Sequence, residues 1–498
     1  MSETADPVSI EDRRQTTAAR FLRSSGAAAL SQGVRVLTVF GAQLILRRYI
    51  PAEDWGLFDW ALVVFLVLGA VRDLGLAYHV LRVESRPFGN LLALECIWGG
   101  LVMAGAIFAA PHATGLFQGE HDATVGVLRL LALFLFFEGL SMVPKMYLEG
   151  ELQVGRAVAP EILRNLCYVG ISCGLAIAGF GVWSLVIAHT FATAVYCAHL
   201  WLRVWRDIPL TYLEGRTLSL LRESSPLAAI WFLILLTRHI DPIVLGARFP
   251  FADVGNYTFA YFWATIVSTQ ILLPAIGRVM FAALVKLRAD SEEMFRAFSL
   301  STLFVLAIEV PTALFLFLNA ELVVWLVGGG QWVDAPAYLR ILCFAPLVDP
   351  LTRLGGEVLK TLHWDRLWIV ATVLTVATFG LGGFWLTGLL GPIGMAWVNL
   401  LPLGGILMTW ALWKVSPSGF RRMLGEMSWA YLAPLPFFAV VWWSVGHRPW
   451  WCFGLSIFAA VVSFVVVVWR FRGEFIAFFR TPVQKPGGAA PATSPPEP

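Results

Sequence analysis

Fourteen stretches of mostly apolar residues, each 19 to 26 residues long, alternate along this chain with short polar segments. They fall at 24–46, 55–76, 88–110, 125–146, 159–179, 182–204, 226–247, 255–279, 297–318, 335–360, 364–386, 389–413, 428–446 and 449–470. Crossing a hydrocarbon core of about 30 Å takes roughly 20 such residues in a helix. Each stretch is therefore a predicted transmembrane helix. The loops between them are too short to hide a soluble domain. With lipid as the solvent, only helices or closed barrels satisfy the backbone, and runs this long and this apolar indicate helices. The expected fold class is an all-α polytopic membrane protein.

Composition agrees with the pattern. Of the 498 residues 58% are hydrophobic and 14% charged, and the mean hydropathy is +0.73. Soluble domains carry about 25% charged residues. Several tryptophans sit near span ends, among them Trp55, Trp60, Trp183, Trp332, Trp450 and Trp451, as interfacial belts require. Sidedness follows from the basic residues. With the N-terminus in the cytoplasm, 28 of the 36 Lys and Arg residues lie in cytoplasmic segments or inner span ends. Four lie outside (Arg47, Arg48, Arg248, Arg448) and four within spans. The positive-inside rule thus predicts two cytoplasmic termini. About 23 mixed-charge residues precede the first apolar run, which is too long for the core of a cleavable signal peptide. A net charge of +3 gives no reason to expect nucleic acid. The six cysteines have no metal or CxxC spacing and read as packing residues.

The chain divides into a polar segment 1–23, a first lobe 24–205, a linker 206–225, a second lobe 226–413, two further helices within 414–472, and a Pro/Ala/Gly-rich tail 473–498. In the linker, Tyr212, Leu213, Leu218, Leu220 and Leu221 alternate with charges, which predicts an interfacial helix. An internal repeat straddles it. Pro51, Asp54, Gly56, Phe58 and Ala61 match Pro250, Asp253, Gly255, Tyr257 and Ala260, with Pro, Asp and Gly at an offset of 199. Pro fixes the turn, Asp is the expected cap of the following helix, and Gly permits close helix approach. Six spans separate the copies, so the two six-helix lobes are expected to be parallel repeats, with two extra C-terminal helices.

Four arginines lie at membrane depth: Arg35, Arg129, Arg238 and Arg340. A charge there costs at least about 2.5–3.5 kcal/mol, so each is a functional suspect. Arg35 and Arg238 occupy the equivalent spans 1 and 7. An offset of 199 carries Arg35 to Ile234, one helical turn before Arg238. Arg129 and Arg340 lie nearer the outer ends of spans 4 and 10, where snorkelling to the interface is the plainer reading. Acidic candidates for ion coupling are Glu309, Asp241 and Glu138, with Glu95 part-way into span 3. Arg238 and Asp241 are three apart and positioned to pair; Asp349 and Arg353, four apart, are expected to form a local pair. His189 and His239 read as packing residues. Prolines 242, 274, 311, 346, 350, 392 and 402 interrupt spans of the second half and supply kinks. No phosphate loop, HExxH or metal-spaced cluster is present, so catalysis and cofactors are not expected.

Several ordered motifs carry a family likeness. They are Leu46-Arg-Arg-Tyr-Ile-Pro51-Ala-Glu-Asp-Trp-Gly56-Leu-Phe58, Arg72-Asp73-Leu-Gly75-Leu76, Gly179-Phe-Gly181-Val-Trp183, Asp241-Pro-Ile-Val-Leu-Gly246 and Gly328-Gly-Gly330-Gln-Trp332. With them the sequence resembles the Wzx-like oligosaccharide flippases of bacterial polysaccharide synthesis, in the larger group that holds MATE multidrug exporters and lipid II flippases. One departure is Leu148-Glu-Gly-Glu-Leu-Gln-Val154, where such proteins often read Leu-Gln-Arg-Glu-Leu-Arg-Phe. The resemblance implies two lobes around a cavity of alternating access, in a bacterial inner membrane. It implies an oligosaccharide on a polyprenyl diphosphate as substrate, for O-antigen, exopolysaccharide or capsule. A proton or sodium gradient is an expected energy source, and a polysaccharide polymerase and chain-length proteins are expected partners. The competing readings are a MATE-like ion-coupled multidrug antiporter, a membrane glycosyltransferase or polymerase, and a scaffold. The transferase would need a larger outer loop than this chain has, and the scaffold leaves the buried charges without a role.

Overall fold

The computed structural model describes residues 40–73, 75–81, 83, 86–113, 122–151, 153, 155–288, 290–401, 403–444 and 449–474, with isolated residues 33 and 38. Among them every regular element is helical. Residues 40–49 are helical. The long elements that follow are α1 (Ala52–Asp73), α2 (Phe88–Ala113), α3 (Thr124–Gly150), α4 (Gly155–Ile177), α5 (Val182–Val204) and α6 (Thr217–Gly246). Next come α7 (Phe251–Ile266), α8 (Leu273–Lys286), α9 (Ser291–Leu318), α10 (Ala320–Gly328), α11 (Ala335–Leu342), α12 (Ala345–Thr361) and α13 (Asp365–Ala377). The last are α14 (Gly383–Leu390), α15 (Ile393–Val398), α16 (Leu403–Val415), α17 (Pro417–Leu432), α18 (Leu435–Ser444) and α19 (Pro449–Arg470).

Ten helices or joined helices among the described residues are long and apolar enough to cross a membrane. They coincide with ten of the fourteen expected spans. The other four have individual causes. Much of the first span, Arg35 included, lies outside the described residues. α4 carries Arg156, Glu161 and Arg164, which dilutes its apolar run. The eighth span is interrupted by a π-helical segment at Val267–Leu272, and the tenth by a turn at Cys343 and Phe344.

The chain forms two compact units: Met1–Leu236 with Gly246–Ala252, and Thr237–Leu245 with Asp253–Pro498. In the first unit α5 packs on α3 and α4, and α3 on α1 and α2. Leu76, Phe88, Val143, Met146, Leu200 and Leu220 share one buried cluster there. The linker is not the expected continuous surface helix. Residues 208–213 are non-helical and α6 starts at Thr217. Asn90 explains the strapping. Its side-chain oxygen accepts from Leu213 N at 2.7 Å, and its amide nitrogen donates to Leu213 O at 3.2 Å and Thr217 Oγ1 at 2.9 Å. An asparagine amide matched to a peptide unit competes with helix formation in the segment it holds.

The Asp54 of the repeat motif serves a different helix from the expected one. Its Oδ2 accepts from Val182 N at 2.9 Å, at the first turn of α5. Gly181, which precedes that turn, has φ 53° and ψ −132°. A Cβ there would also strike the Asp54 carboxylate. Both the backbone and the space demand glycine.

In the second unit α9 is the central helix, packed by α8, α12, α17 and α19. Its sequence is apolar nearly all round, as a helix enclosed by others must be. Asp290 starts it by accepting from Glu292 N at 3.0 Å and Glu293 N at 3.1 Å. The helix runs on through Pro311. The last two long apolar segments belong to this unit. Asn319, just after α9, donates to Ser456 Oγ of α19 at 3.0 Å in a buried contact.

Candidate functional site

The second unit gathers polar side chains on α6, α7, α12 and the turn after α15. Asp241 is 5% exposed, on the last turns of α6. Tyr257 of α7 donates its hydroxyl to Asp241 Oδ2 at 2.5 Å. Asn399 donates its amide nitrogen to the same oxygen at 3.0 Å and approaches Tyr257 Oη at 2.9 Å. A buried carboxylate needs such donors, because the charge has lost its water. The expected Arg238–Asp241 pair does not form among the described residues. Asp241 takes neutral donors from two other elements, and Arg238 stays exposed on α6.

Arg238 faces different partners. It lies within electrostatic reach of Arg353, Asp349 and Tyr261. Arg353 pairs with Asp349 at 3.2 Å across one turn of α12, as the spacing predicts. Tyr261 stacks on Tyr257 with centroids 6.2 Å apart and planes at 20°. Tyr338 meets Tyr257 edge-on at 6.0 Å. The result is two guanidiniums, Arg238 and Arg353, and two carboxylates, Asp349 and Asp241, around Tyr261.

Glu309 on α9 is 1% exposed. Its polar neighbour is Ser268, on the π-helical segment, and Asp349 is within electrostatic reach. Glu309 Oε1 accepts no hydrogen bond among the described residues. The structure thus brings Arg238, Asp241 and Glu309 into one unit, Arg238 and Glu309 each beside the Asp349–Arg353 pair.

The remaining candidates lie elsewhere. Arg340 is exposed on α11 and ion-paired with Glu321 of α10. Arg129 is exposed on α3. Glu138, half-buried on α3, is an electrostatic neighbour of Glu95. His189 packs among Phe134, Phe58 and Tyr168 at 4.5, 6.0 and 5.9 Å between centroids.

Four residues of these sites were not singled out as site candidates in the sequence. Tyr257 stands in the repeated motif, where it matched Phe58 and was given no role. Asn399 is a lone amide in an apolar span, which is a usable signal. Arg353 read as half of a local pair. Arg72 read as an inner-end arginine, yet it is 3% exposed and pairs with Glu95 at 3.0 Å in the first unit.

The sequence matches the family described as "Polysaccharide biosynthesis protein" over residues 45–337. The chain belongs to this family. The matched segment holds Arg72, Glu95, Arg238, Asp241 and Glu309, whereas Arg353 and Asn399 lie beyond it. Succinoglycan biosynthesis transport protein ExoT of Rhizobium meliloti (strain 1021) is 24% identical over 435 residues, 84% of this chain and 85% of that one. Lipopolysaccharide biosynthesis protein WzxC of Escherichia coli (strain K12) is 25% identical over 327 residues, 63% of this chain and 64% of that one. The fold is similar to that of a solved structure described as "Lipid II flippase MurJ, inward closed conformation". The TM-score is 0.70 at 11% identity, over 91% of this chain and 100% of that chain. An inward-facing multidrug resistance MATE family transporter of the MOP superfamily gives a TM-score of 0.57 at 15% identity, over 78% of this chain and 95% of that chain.

Proposed function

We propose that this family member moves an oligosaccharide linked to polyprenyl diphosphate from the cytoplasmic to the outer leaflet of the bacterial inner membrane, by alternating access. It is a transporter and not an enzyme, and its product feeds O-antigen, exopolysaccharide or capsule synthesis. One observation carries the reading: Arg238 and Arg353 lie within electrostatic reach of each other and of Tyr261. A diphosphate cannot cross hydrocarbon without compensating charge, and guanidinium forks match phosphate oxygens in pairs. Tyr261, half-buried, offers a ring face to a sugar, while the prenyl chain needs only lipid. The names of ExoT and WzxC, from succinoglycan transport and lipopolysaccharide biosynthesis, support this substrate class over a drug. The second reading is a MATE-like ion-coupled multidrug antiporter, for which the fold alone speaks.

Arg35, Arg129 and Arg340 enter the proposal as further cations along the path, and Asp241, Glu309 and Glu138 as groups that exchange a proton or sodium. The lobes 24–205 and 226–413 are the moving halves, and both termini are cytoplasmic. The test is transfer of a lipid-linked oligosaccharide in proteoliposomes. A lost charge-assisted hydrogen bond is worth about 1.5–3 kcal/mol, so Arg238→Ala and Arg353→Ala should each slow transfer about tenfold or more. Wild-type rates in both variants would remove the cation site.

A further inference from the structure

The first unit holds a charge cluster that the proposed anion site does not use. Arg72 lies in the last turn of α1, and Glu95 lies seven residues into α2, about 10 Å from its start. Their side chains are 3% and 1% exposed, and Arg72 Nε stands 3.0 Å from Glu95 Oε2. Arg72 Nη1 donates to the Leu135 carbonyl of α3. Glu95 Oε1 accepts no hydrogen bond among the described residues, and the Nε contact at Oε2 lacks hydrogen-bond geometry. Gly139 of α3 closes the remaining side, because a Cβ there would strike both Glu95 and Arg72.

An ionised carboxylate has room for about four donors, and a buried one depends on them. Glu95 has one off-axis guanidinium. Its charged neighbours do not help. Arg72 and Asp73 face it from α1 and Glu138 from α3, and the Cys96 thiol adjoins it on α2. Lys145 of α3 compensates Asp73 rather than Glu95. Glu95, Asp73 and Glu138 thus outnumber the cations Arg72 and Lys145, and a proton held among them relieves the repulsion.

We propose that Glu95 is a proton-exchanging lock of the first unit. Ionised, it holds Arg72 and so ties α1 to α2. When it takes a proton from water, an O–H bond forms on the carboxyl and the attraction to Arg72 is lost. Arg72 keeps only its bond to Leu135 O on α3. One proton enters and no other bond changes, so α2 is released from α1 and α3 at this point. The use of this release for coupling rests on the transport reading above; the protonation itself does not.

The experiment is infrared difference spectroscopy of the full chain in phospholipid nanodiscs, stepped in pH. Protonated carboxyls show a C=O stretch that shifts in D2O. Glu95→Gln should remove one such band, and Glu309→Gln should leave that band in place. An unchanged spectrum in Glu95→Gln overturns the proposal. If that variant does not accumulate, Glu95→Asp keeps a carboxyl one methylene shorter and should move the band's pH midpoint; an unmoved midpoint overturns it equally. In proteoliposomes Glu95→Gln should still bind the lipid-linked oligosaccharide and should lose the acceleration that a pH gradient gives the wild type. A variant that lacks the band but keeps the acceleration overturns the coupling. Failure of the wild type to move that lipid would strike the proposed function and leave the infrared result standing.

Discussion

The Tyr257 hydroxyl reaches the Asp241 carboxylate from a different helix, sixteen residues along the chain, while Arg238, one turn away on the same helix, leaves that carboxylate alone. The arrangement separates two tasks. Asp241 is held by neutral donors, and the guanidinium of Arg238 faces Asp349, Arg353 and Tyr261 instead.

Removal of the Tyr257 hydroxyl should therefore destabilise the protein, and removal of the Arg238 charge should not. Tyr257→Phe leaves a buried carboxylate short of a donor, at a cost of about 1–3 kcal/mol. Its thermal unfolding midpoint in detergent should fall, whereas that of Arg238→Ala should stay near wild type. Equal losses in the two variants would show that Arg238 supports Asp241 after all.

Gly181→Ala should be poorly tolerated although it lies in a short turn. Its backbone angles suit glycine almost alone, and strain of this kind costs about 1–3 kcal/mol. Asp54→Ala should cost about 1 kcal/mol through the lost cap on α5. The double variant should be less unstable than the sum, because removing the carboxylate also removes the clash. Strict additivity in thermal unfolding would refute the contact between the two residues.

Sidedness can be read by thiol labelling in a background without the native cysteines. Arg86→Cys should react only with reagents on the cytoplasmic side and Gln118→Cys only with impermeant reagents outside. Arg86 pairs with Glu151 in a half-exposed contact, and such pairs contribute at most about 1 kcal/mol, so the substitution should not disturb the fold. The reverse pattern would invert the proposed orientation.

The long apolar runs were legible because bilayer thickness sets their length, and α1, α3, α5, α9 and α19 fall close to where hydropathy places them. The side-chain partnerships were not. Helical spacing named Arg238 for Asp241, but Tyr257 and Asn399 come from other helices, and no local period reports which helix will stand beside which. Arg353 was found with Asp349, since that pair is local; its nearness to Arg238 is tertiary. Arg72 was misleading for a different reason. An arginine at an inner helix end normally points to water, and only the fold reveals that this one turns inward to Glu95.

The π-helical segment at 267–272 has a consequence for the helix that contains it. Each wide turn admits one residue more than an α-turn, so everything beyond it is rotated by about 100°. Upstream, Tyr257 addresses Asp241; downstream, Met280 and Leu284 join the cluster around α9. A helix that changes pitch between Phe251 and Lys286 can in this way show a polar flank to one neighbour and a greasy flank to another, a change of heading that a wheel drawn at constant pitch through those residues would miss.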